Sequence, residues 1–371
     1  MWLDSAPTSA PLAVAAPGAE IYYGGPDQAP RALRDVLKAK VDAAQPGSTI
    51  TWATYYFHDQ GLAESLVAAQ KRGVRVRVRI EGSPRHAGAN DTVIAALREG
   101  LGNNLKLNKS PFGIFHLHAK IYAFTGPPSS GATSEVLIGS FNPSGDAAEN
   151  PKLLADIGNQ DRGENLLVAF RDPAVTAALT KEADRLWSGK ATSRFSRREN
   201  RVVRLQSVRF YYFPRLRPDV VERRIARLGP GDSVQAAISH MDQGPFAENL
   251  AKAAKRGAQI DLVVHDTARR VPTGVVKNLT QAGVHVRRYC DPEGLPMHAK
   301  FVVIDDNGER SAWFGSLNYN VTSRYLNQEI LARSTDASIV GNLTARFRVI
   351  SKATETTANA CGHPPAAKDQ R

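Results

Sequence analysis

Pro46-Gly47-Ser48-Thr49-Ile50 opens a stretch that runs through Asp59-Gln60-Gly61 and Ala68-Ala69-Gln70-Lys71-Arg72-Gly73 to Val74-Arg75-Val76-Arg77-Val78-Arg79-Ile80. A second stretch opens at Pro230-Gly231-Asp232-Ser233-Val234. It passes through Asp242-Gln243-Gly244 and Ala253-Ala254-Lys255-Arg256-Gly257 to Ile260-Asp261-Leu262-Val263-Val264. Order, spacing and residue types agree across a strand, a helix and a strand, so the chain is a long internal repeat. Each copy reads as strand, helix, strand, helix, strand, then two or three further strands and a closing helix. That alternation predicts an α/β fold of two pseudo-symmetric domains, each a mixed sheet flanked by helices. The domains are placed at 17–188 and 206–355, with a basic linker at 189–205 and a flexible tail at 356–371.

Composition bounds the reading. A chain of 371 residues with 42% hydrophobic and 23% charged residues buries one large core or two ordinary ones, which excludes a disordered or fibrous protein. The formal net charge of +12 favours a phosphate-rich partner, either nucleic acid or an anionic lipid surface. No run approaches about 18 apolar residues, and Asp4 stands where an export signal carries positive charge, so neither a membrane span nor a signal peptide is expected. Cys290 and Cys361 are too few for a disulfide framework or a cysteine zinc site. That usage fits a cytoplasmic or peripheral-membrane protein, and a processed secreted form also.

Both copies carry the same polar elements in the same order. Phe115-His116-Leu117-His118-Ala119-Lys120-Ile121-Tyr122 precedes Gly139-Ser140-Phe141-Asn142, and Met297-His298-Ala299-Lys300-Phe301-Val302-Val303-Ile304-Asp305 precedes Gly315-Ser316-Leu317-Asn318. An acid follows each time at the start of an apolar strand, Glu164 before Asn165-Leu166-Leu167-Val168 and Glu329 before Ile330-Leu331. Residues two apart on a strand share a face, so His118 projects with Lys120 and His298 with Lys300. An imidazole serves as nucleophile or proton donor near neutral pH, while lysine and an asparagine amide hold phosphate oxygens. Two facing copies supply one histidine on each side of a phosphorus atom, as a two-step in-line displacement requires. His-x-Lys alone is weak, since a single strand histidine is more often a packed residue than a catalyst. Both motifs, close together and twice in register with a repeat, arise by chance on the order of once in ten thousand chains or less.

The doubled His-x-Lys-x4-Asp and Gly-Ser-x-Asn pattern resembles the phospholipase D superfamily, over about residues 20 to 350. The resemblance implies two copies packed about a pseudo-twofold axis with one active site at their interface. One histidine forms a phosphohistidine, and the other protonates the leaving alcohol and then activates water or an acceptor alcohol. By motif position it assigns His118 and His298 as the catalytic pair, His118 being the nucleophile. Lys120 and Lys300 become the phosphate-binding lysines, Asn142 and Asn318 the amides beside them, and Ser140 and Ser316 the substrate-side serines. Glu164 and Glu329 become acids that orient an imidazole of the opposite half. Asp305 completes the second motif, whereas Thr125 occupies that place in the first, an asymmetry tolerated by active members of the family. His116 shares the face of His118 and is a candidate pocket residue. His58, His86, His240, His265, His285 and His363 carry no motif and are assigned no role. None of the histidines has the paired helical spacing of a zinc site, so no catalytic metal and no cofactor are expected.

Two substrate classes follow. The first is a phospholipid, hydrolysed or exchanged with an alcohol at a peripheral contact with an anionic membrane; it is supported by the single-chain double repeat, which in the resembled superfamily is frequent among lipid enzymes, and by the apolar approach Pro111-Phe112-Gly113-Ile114-Phe115. The second is nucleic acid, cleaved by a nuclease or DNA-end phosphodiesterase. It is supported by the charge, by Arg75, Arg77 and Arg79 on one strand face, and by a linker holding Lys190, Arg194, Arg197, Arg198, Arg201 and Arg204 against Glu199 alone. The same linker reads first as a solvated connector, as charge runs usually are, and only second as a phosphate-contacting strap. A catalytically idle binding protein is a third class, opposed by the intact His, Lys and Asn of both copies. The phospholipid reading is preferred, in a monomer.

Overall fold

The computed structural model describes residues 18–110, 114–127, 134–143, 145, 157–189 and 202–357. The first half contains β1 (Ala19–Gly24), α1 (Ala32–Asp42), β2 (Thr49–Thr54), α2 (Gln60–Lys71), β3 (Arg75–Glu81), α3 (Asp91–Leu101), β4 (Leu105–Asn108), β5 (Ile121–Thr125), β6 (Glu135–Gly139), β7 (Asn165–Phe170) and α4 (Pro173–Ser188). The second contains β8 (Val203–Arg204), β9 (Val208–Phe213), α5 (Glu222–Ile225), β10 (Ser233–Ile238), α6 (Pro245–Lys255), β11 (Gln259–Val264), α7 (Thr273–Gln281) and β12 (His285–Arg288). It continues with β13 (Lys300–Asp306), β14 (Glu309–Gly315), α8 (Val321–Tyr325), β15 (Glu329–Ser334) and α9 (Ala337–Thr357).

The repeat read from the sequence is a repeat of topology. The first sheet has the order β1-β7-β6-β5-β2-β3-β4, and the second runs β12-β11-β10-β13-β14-β15-β9-β8, the same succession with β8 added at its edge. In both, the strand-helix-strand unit gives parallel pairs and the later strands return antiparallel, so each sheet is mixed. Local signals set the helix starts: Asp59 accepts the Leu62 amide, and Asp172 caps α4 ahead of Pro173.

Alternation along each strand divides the buried apolar side chains of the described residues into three large cores, beside a small cluster of Tyr55, Tyr56, Ala89 and Ile157. Leu167 and Ala169 of β7 face α1, α2 and α3, whereas Leu166, Val168 and Phe170 face inward. On β13, Val302 and Ile304 join the core under α6 and α7, whereas Phe301 and Val303 face inward. The inward sets of both sheets, with α4 and α9, form one continuous core in which Phe170 packs against Phe210 and Phe314. The halves therefore share an apolar interface, and the strand ends of the two sheets meet along it. Arg77 donates to Thr51 and pairs with Asp184, and Arg79 donates to the Leu186 carbonyl and Asn108. These two arginines anchor α4 and do not form the exposed basic face expected of them; Arg75 alone of the three is exposed. Of the linker cations only Arg204 lies within the described residues, as do Ile114 and Phe115 of the apolar approach. No helix among the described residues is long and apolar enough to cross a membrane.

Candidate active site

Each histidine is placed by backbone pairing with the opposite half. Leu117 bridges in parallel to Gln328, with the His118 amide on the Gln328 carbonyl at 3.0 Å and the Gln328 amide on the His116 carbonyl at 2.9 Å. Met297 bridges in the same way to Glu164: the Glu164 amide reaches the Pro296 carbonyl and the His298 amide reaches the Glu164 carbonyl, both at 2.9 Å. Glu81 fixes the first of these segments from beneath. Its buried carboxylate accepts from the Leu117 and Ser83 amides, Asn108 and Ser110, bonds that hold its carboxyl low although burial pushes it up.

The imidazoles are also held across the interface, by different chemistry on each side. His118 Nδ1 lies 2.9 Å from the Glu329 carboxylate, which accepts from Ser316 Oγ at 2.5 Å. His298 Nδ1 lies 2.9 Å from Asn165 Oδ1, which accepts from Ser140 Oγ at 2.9 Å. In both cases Nδ1 is engaged, leaving Nε2 as the nitrogen with which the ring can act. The glycines before the serines are required by this packing. A Cβ on Gly139 would stand 2.1 Å from the Leu166 carbonyl oxygen, and one on Gly315 would stand 2.2 Å from that of Ile330. Those carbonyls accept the Ser140 and Ser316 amides at 3.0 Å.

Four sequence expectations are corrected here. Glu164 does not reach an imidazole. Gly139 pairs with Leu167 and Gly315 with Leu331, so Asn165 is the counterpart of Glu329, and the period of two turns Glu164 to the other face. There its carboxylate accepts from Arg346 at 2.8 Å, and Arg346 also bonds Asp27 and the Gly24 carbonyl. Ser140 and Ser316 are buried beneath the site and hold Asn165 and Glu329, not substrate. Asp305 sits at the far end of β13, about 20 Å along the strand from His298, where it accepts the Gly308 amide in a hairpin turn.

A cavity of about 650 Å3 opens over this arrangement. Its lining includes His116, His118, Asn142, His298 and Asn318 from the expected set. The ammonium groups of Lys120 and Lys300 lie just below it, each donating to the carbonyl of its own histidine at 2.5 and 2.6 Å, with further protons to give. Asn142 is tied to Gln160 at 2.8 Å, while the side-chain Oδ1 of Asn318 has no hydrogen-bond partner among the described residues. His116 stands 3.7 Å from Glu81. The lining also holds Tyr55, whose ring centroid is 5.2 Å from that of His118, together with Tyr56, Arg85, Arg269 and Arg270, to none of which the sequence draws attention, and His240, to which it assigns no role. Among the described residues no three His, Cys, Asp or Glu side chains cluster to hold a metal ion.

Burial and like charge dominate the electrostatics. Burial lowers His118 to about 4 against the upward pull of Glu329, and burial with the charges of Lys300, Lys120 and Arg270 takes His298 well below 6.5. Lys120 falls to about 7 for the same first reason. Burial pushes the Glu329 carboxyl up, but the charges and hydrogen bonds of His118, Lys120 and Ser316 outweigh it and hold the group below 4.5. The site is therefore short of negative charge, which a phosphodiester supplies.

The chain matches the sequence family described as "Cardiolipin synthase, PLD-like domain" over residues 37–187 and 227–350, one segment in each half. No curated protein matches it. Among solved structures, phosphatidylserine synthase of Haemophilus influenzae Rd KW20 is similar over 90% of this chain and 86% of its own, at TM-score 0.63 and 12% identity. Polyphosphate kinase of Porphyromonas gingivalis is similar over 90% of this chain at TM-score 0.60 and 13% identity, and the chain spans 50% of that protein's length. At these identities the likeness is one of fold. The family match, by contrast, covers more than half of the sequence and both copies of the repeat, and the chain belongs to the phospholipase D-like family.

Proposed function

We propose that the chain is a phosphodiesterase of the phospholipase D type that cleaves or exchanges a phospholipid phosphodiester, with His118 as nucleophile and His298 as proton donor. The observation that carries the reading is that the two histidines come from opposite halves, line one cavity and are each anchored through Nδ1. His118 Nε2 attacks phosphorus, the bond to the leaving oxygen breaks, and that oxygen takes the proton from His298 Nε2. An incoming water or alcohol then gives its proton back to His298 as its oxygen attacks, and the phosphorus–nitrogen bond breaks to restore His118. Glu329 stabilises the cationic phosphohistidine, which is why the nucleophile is placed on its side; the neutral Asn165 orients the donor without retaining its proton. Lys120, Lys300, Asn142 and Asn318 supply donors for the phosphate oxygens. Burial and the neighbouring cations hold His298 well below 6.5, and the negative charge of a bound phosphodiester acts against them, favouring the protonated donor.

Lipid is preferred over nucleic acid on two grounds. Arg77 and Arg79 are engaged internally, and large apolar side chains are exposed beside the cavity. Phe115 is 45% exposed next to His116, and Val321 is 62% exposed between Asn320 and Thr322 of the lining. Exposed apolar side chains that adjoin lining residues along the chain suit contact with a bilayer surface. Because one chain supplies both histidines, a monomer completes the site. A panel of phosphatidylcholine, phosphatidylglycerol, single-stranded DNA and bis(p-nitrophenyl) phosphate tests the proposal. Turnover of a phospholipid together with the small diester is expected, and turnover of DNA with neither phospholipid cleaved would replace the lipid reading.

A further inference from the structure

The two halves differ beside their histidines. Thr54 at the end of β2 pairs with Ile80, and Ile238 at the end of β10 pairs with Val264, so Tyr55 is matched in the second half by Ser239. Tyr55 lines the cavity. Its ring centroid lies 5.2 Å from that of His118 and 5.4 Å from that of His116, and the Lys120 ammonium stands over the ring, 5.7 Å from its centre. One aromatic ring therefore meets the alternate side chains His116, His118 and Lys120, which the period of two brings to one face.

The ring is held in the same frame as the segment that bears the histidines. The Tyr55 hydroxyl accepts the Arg85 amide at 2.6 Å, and the Tyr55 carbonyl accepts from the buried Asn90 side-chain amide at 2.8 Å. Asn90 Nδ2 also donates to the Glu81 carbonyl at 2.9 Å, and the Glu81 carboxylate accepts the Leu117 amide, between the two imidazoles, at 2.8 Å. Burial holds the phenol neutral, so what it offers its neighbours is an uncharged π face. A side chain fixed at both its hydroxyl and its backbone is pre-organised to fix what packs against it.

Two positive charges meet at this face. Burial lowers Lys120 to about 7 against the charge of Glu329, so its ammonium form needs further support at neutral pH. The His118 ring becomes cationic as its Nε2 bonds phosphorus. An aromatic face attracts a cation within about 6 Å of its centre, the more strongly where water is excluded. We propose that Tyr55 is a positioning residue for the nucleophile, whose ring fixes His118 for attack and stabilises both the Lys120 ammonium and the imidazolium that forms on His118. The inference rests on the phosphodiesterase reading and deepens it. Ser239 brings no ring to the second half, so this support for a cationic adduct lies on the side of His118, as the charge of Glu329 does.

Fluorination of the ring tests this, because it withdraws π density and barely alters shape. Phenylalanine and its mono-, di- and trifluorinated forms are placed at position 55 of the full chain, and single-turnover release of p-nitrophenolate from bis(p-nitrophenyl) phosphate is followed. Tyr55→Phe keeps the ring and should stay within about threefold of wild type, whereas Tyr55→Leu should be slowed about tenfold or more. Across the fluorinated series the rate should fall stepwise, by about threefold or more in total, a trend that a merely structural ring would not produce. A flat series, with the diester still cleaved, would overturn the role of the ring and leave the phosphodiesterase reading intact. Tyr55→Leu within about twofold of wild type would do the same, and so would a loss in Tyr55→Phe as large as that in Tyr55→Leu, which would place the effect on the hydroxyl. Failure of the wild type to cleave any diester would overturn both.

Discussion

Replacing Glu329 by Gln separates the charge at His118 from the hydrogen bond that orients it. The glutamine carbonyl can accept from Nδ1 as Asn165 does for His298, so the tautomer is kept and only the negative charge is lost. A carboxylate and a cationic imidazole about 4 Å apart interact by about 4 kcal/mol at an effective dielectric constant of 20. If about half of the charge has developed in the transition state, about 2 kcal/mol is lost, or roughly thirtyfold in the rate of phosphohistidine formation. Glu329→Ala should cost about 1–3 kcal/mol more, because Nδ1 and Ser316 Oγ are then left buried without an acceptor. The assay is the burst of p-nitrophenolate from bis(p-nitrophenyl) phosphate in a rapid-quench experiment. An E329Q burst within threefold of wild type, or one as slow as that of E329A, would refute the reasoning.

His298→Ala should lose about a hundredfold or more on a dialkyl phosphodiester, the low end for a general acid, yet lose far less on bis(p-nitrophenyl) phosphate, whose leaving group needs no proton; equal losses on both, measured as kcat/KM, would contradict the donor role. His118 attacks only when unprotonated, so with its pKa lowered to about 4 the acid limb of kcat/KM for bis(p-nitrophenyl) phosphate should bend near pH 4, activity being lost as pH falls through that value. A bend near 6.5 would contradict the burial argument. Arg346→Ala leaves Glu164 buried without its cation and should cost about 3–5 kcal/mol in denaturant unfolding; a loss under about 1 kcal/mol would show that the cluster does not secure the strand pairing beside His298.

The doubled motif made the architecture legible because a period-two strand and a helix between strands leave marks in sequence that a repeat shows twice. Identity of residue type was a weaker guide to the second layer of the site. Glu164 and Glu329 both precede an apolar strand, but Glu164 stands one residue earlier, and a shift of one inverts the face. Counting the six residues of β7 back from Phe170, against the six of β15 back from Ser334, would have selected Asn165. Asp305 and the two serines follow from motif membership alone, which says nothing of whether a side chain faces substrate, a turn or a neighbouring strand. Tyr55, His240, Arg269 and Arg270 lie on loops at strand ends, where no periodicity marks which side chains converge. Arg77 and Arg79 read as a surface stripe because alternation with valine is the signature of a half-exposed strand, whereas α4 covers that face.

The covalent intermediate tests the central claim most directly. Acid-labile phosphohistidine should be trapped by quenching the reaction with bis(p-nitrophenyl) phosphate and locating the adduct by peptide mass spectrometry under mildly alkaline conditions. The account predicts the phosphoryl group on His118, its accumulation in His298→Ala and its absence in His118→Ala. An adduct on His298 would reverse the two roles, and turnover of the diester with no adduct on either histidine would contradict the mechanism.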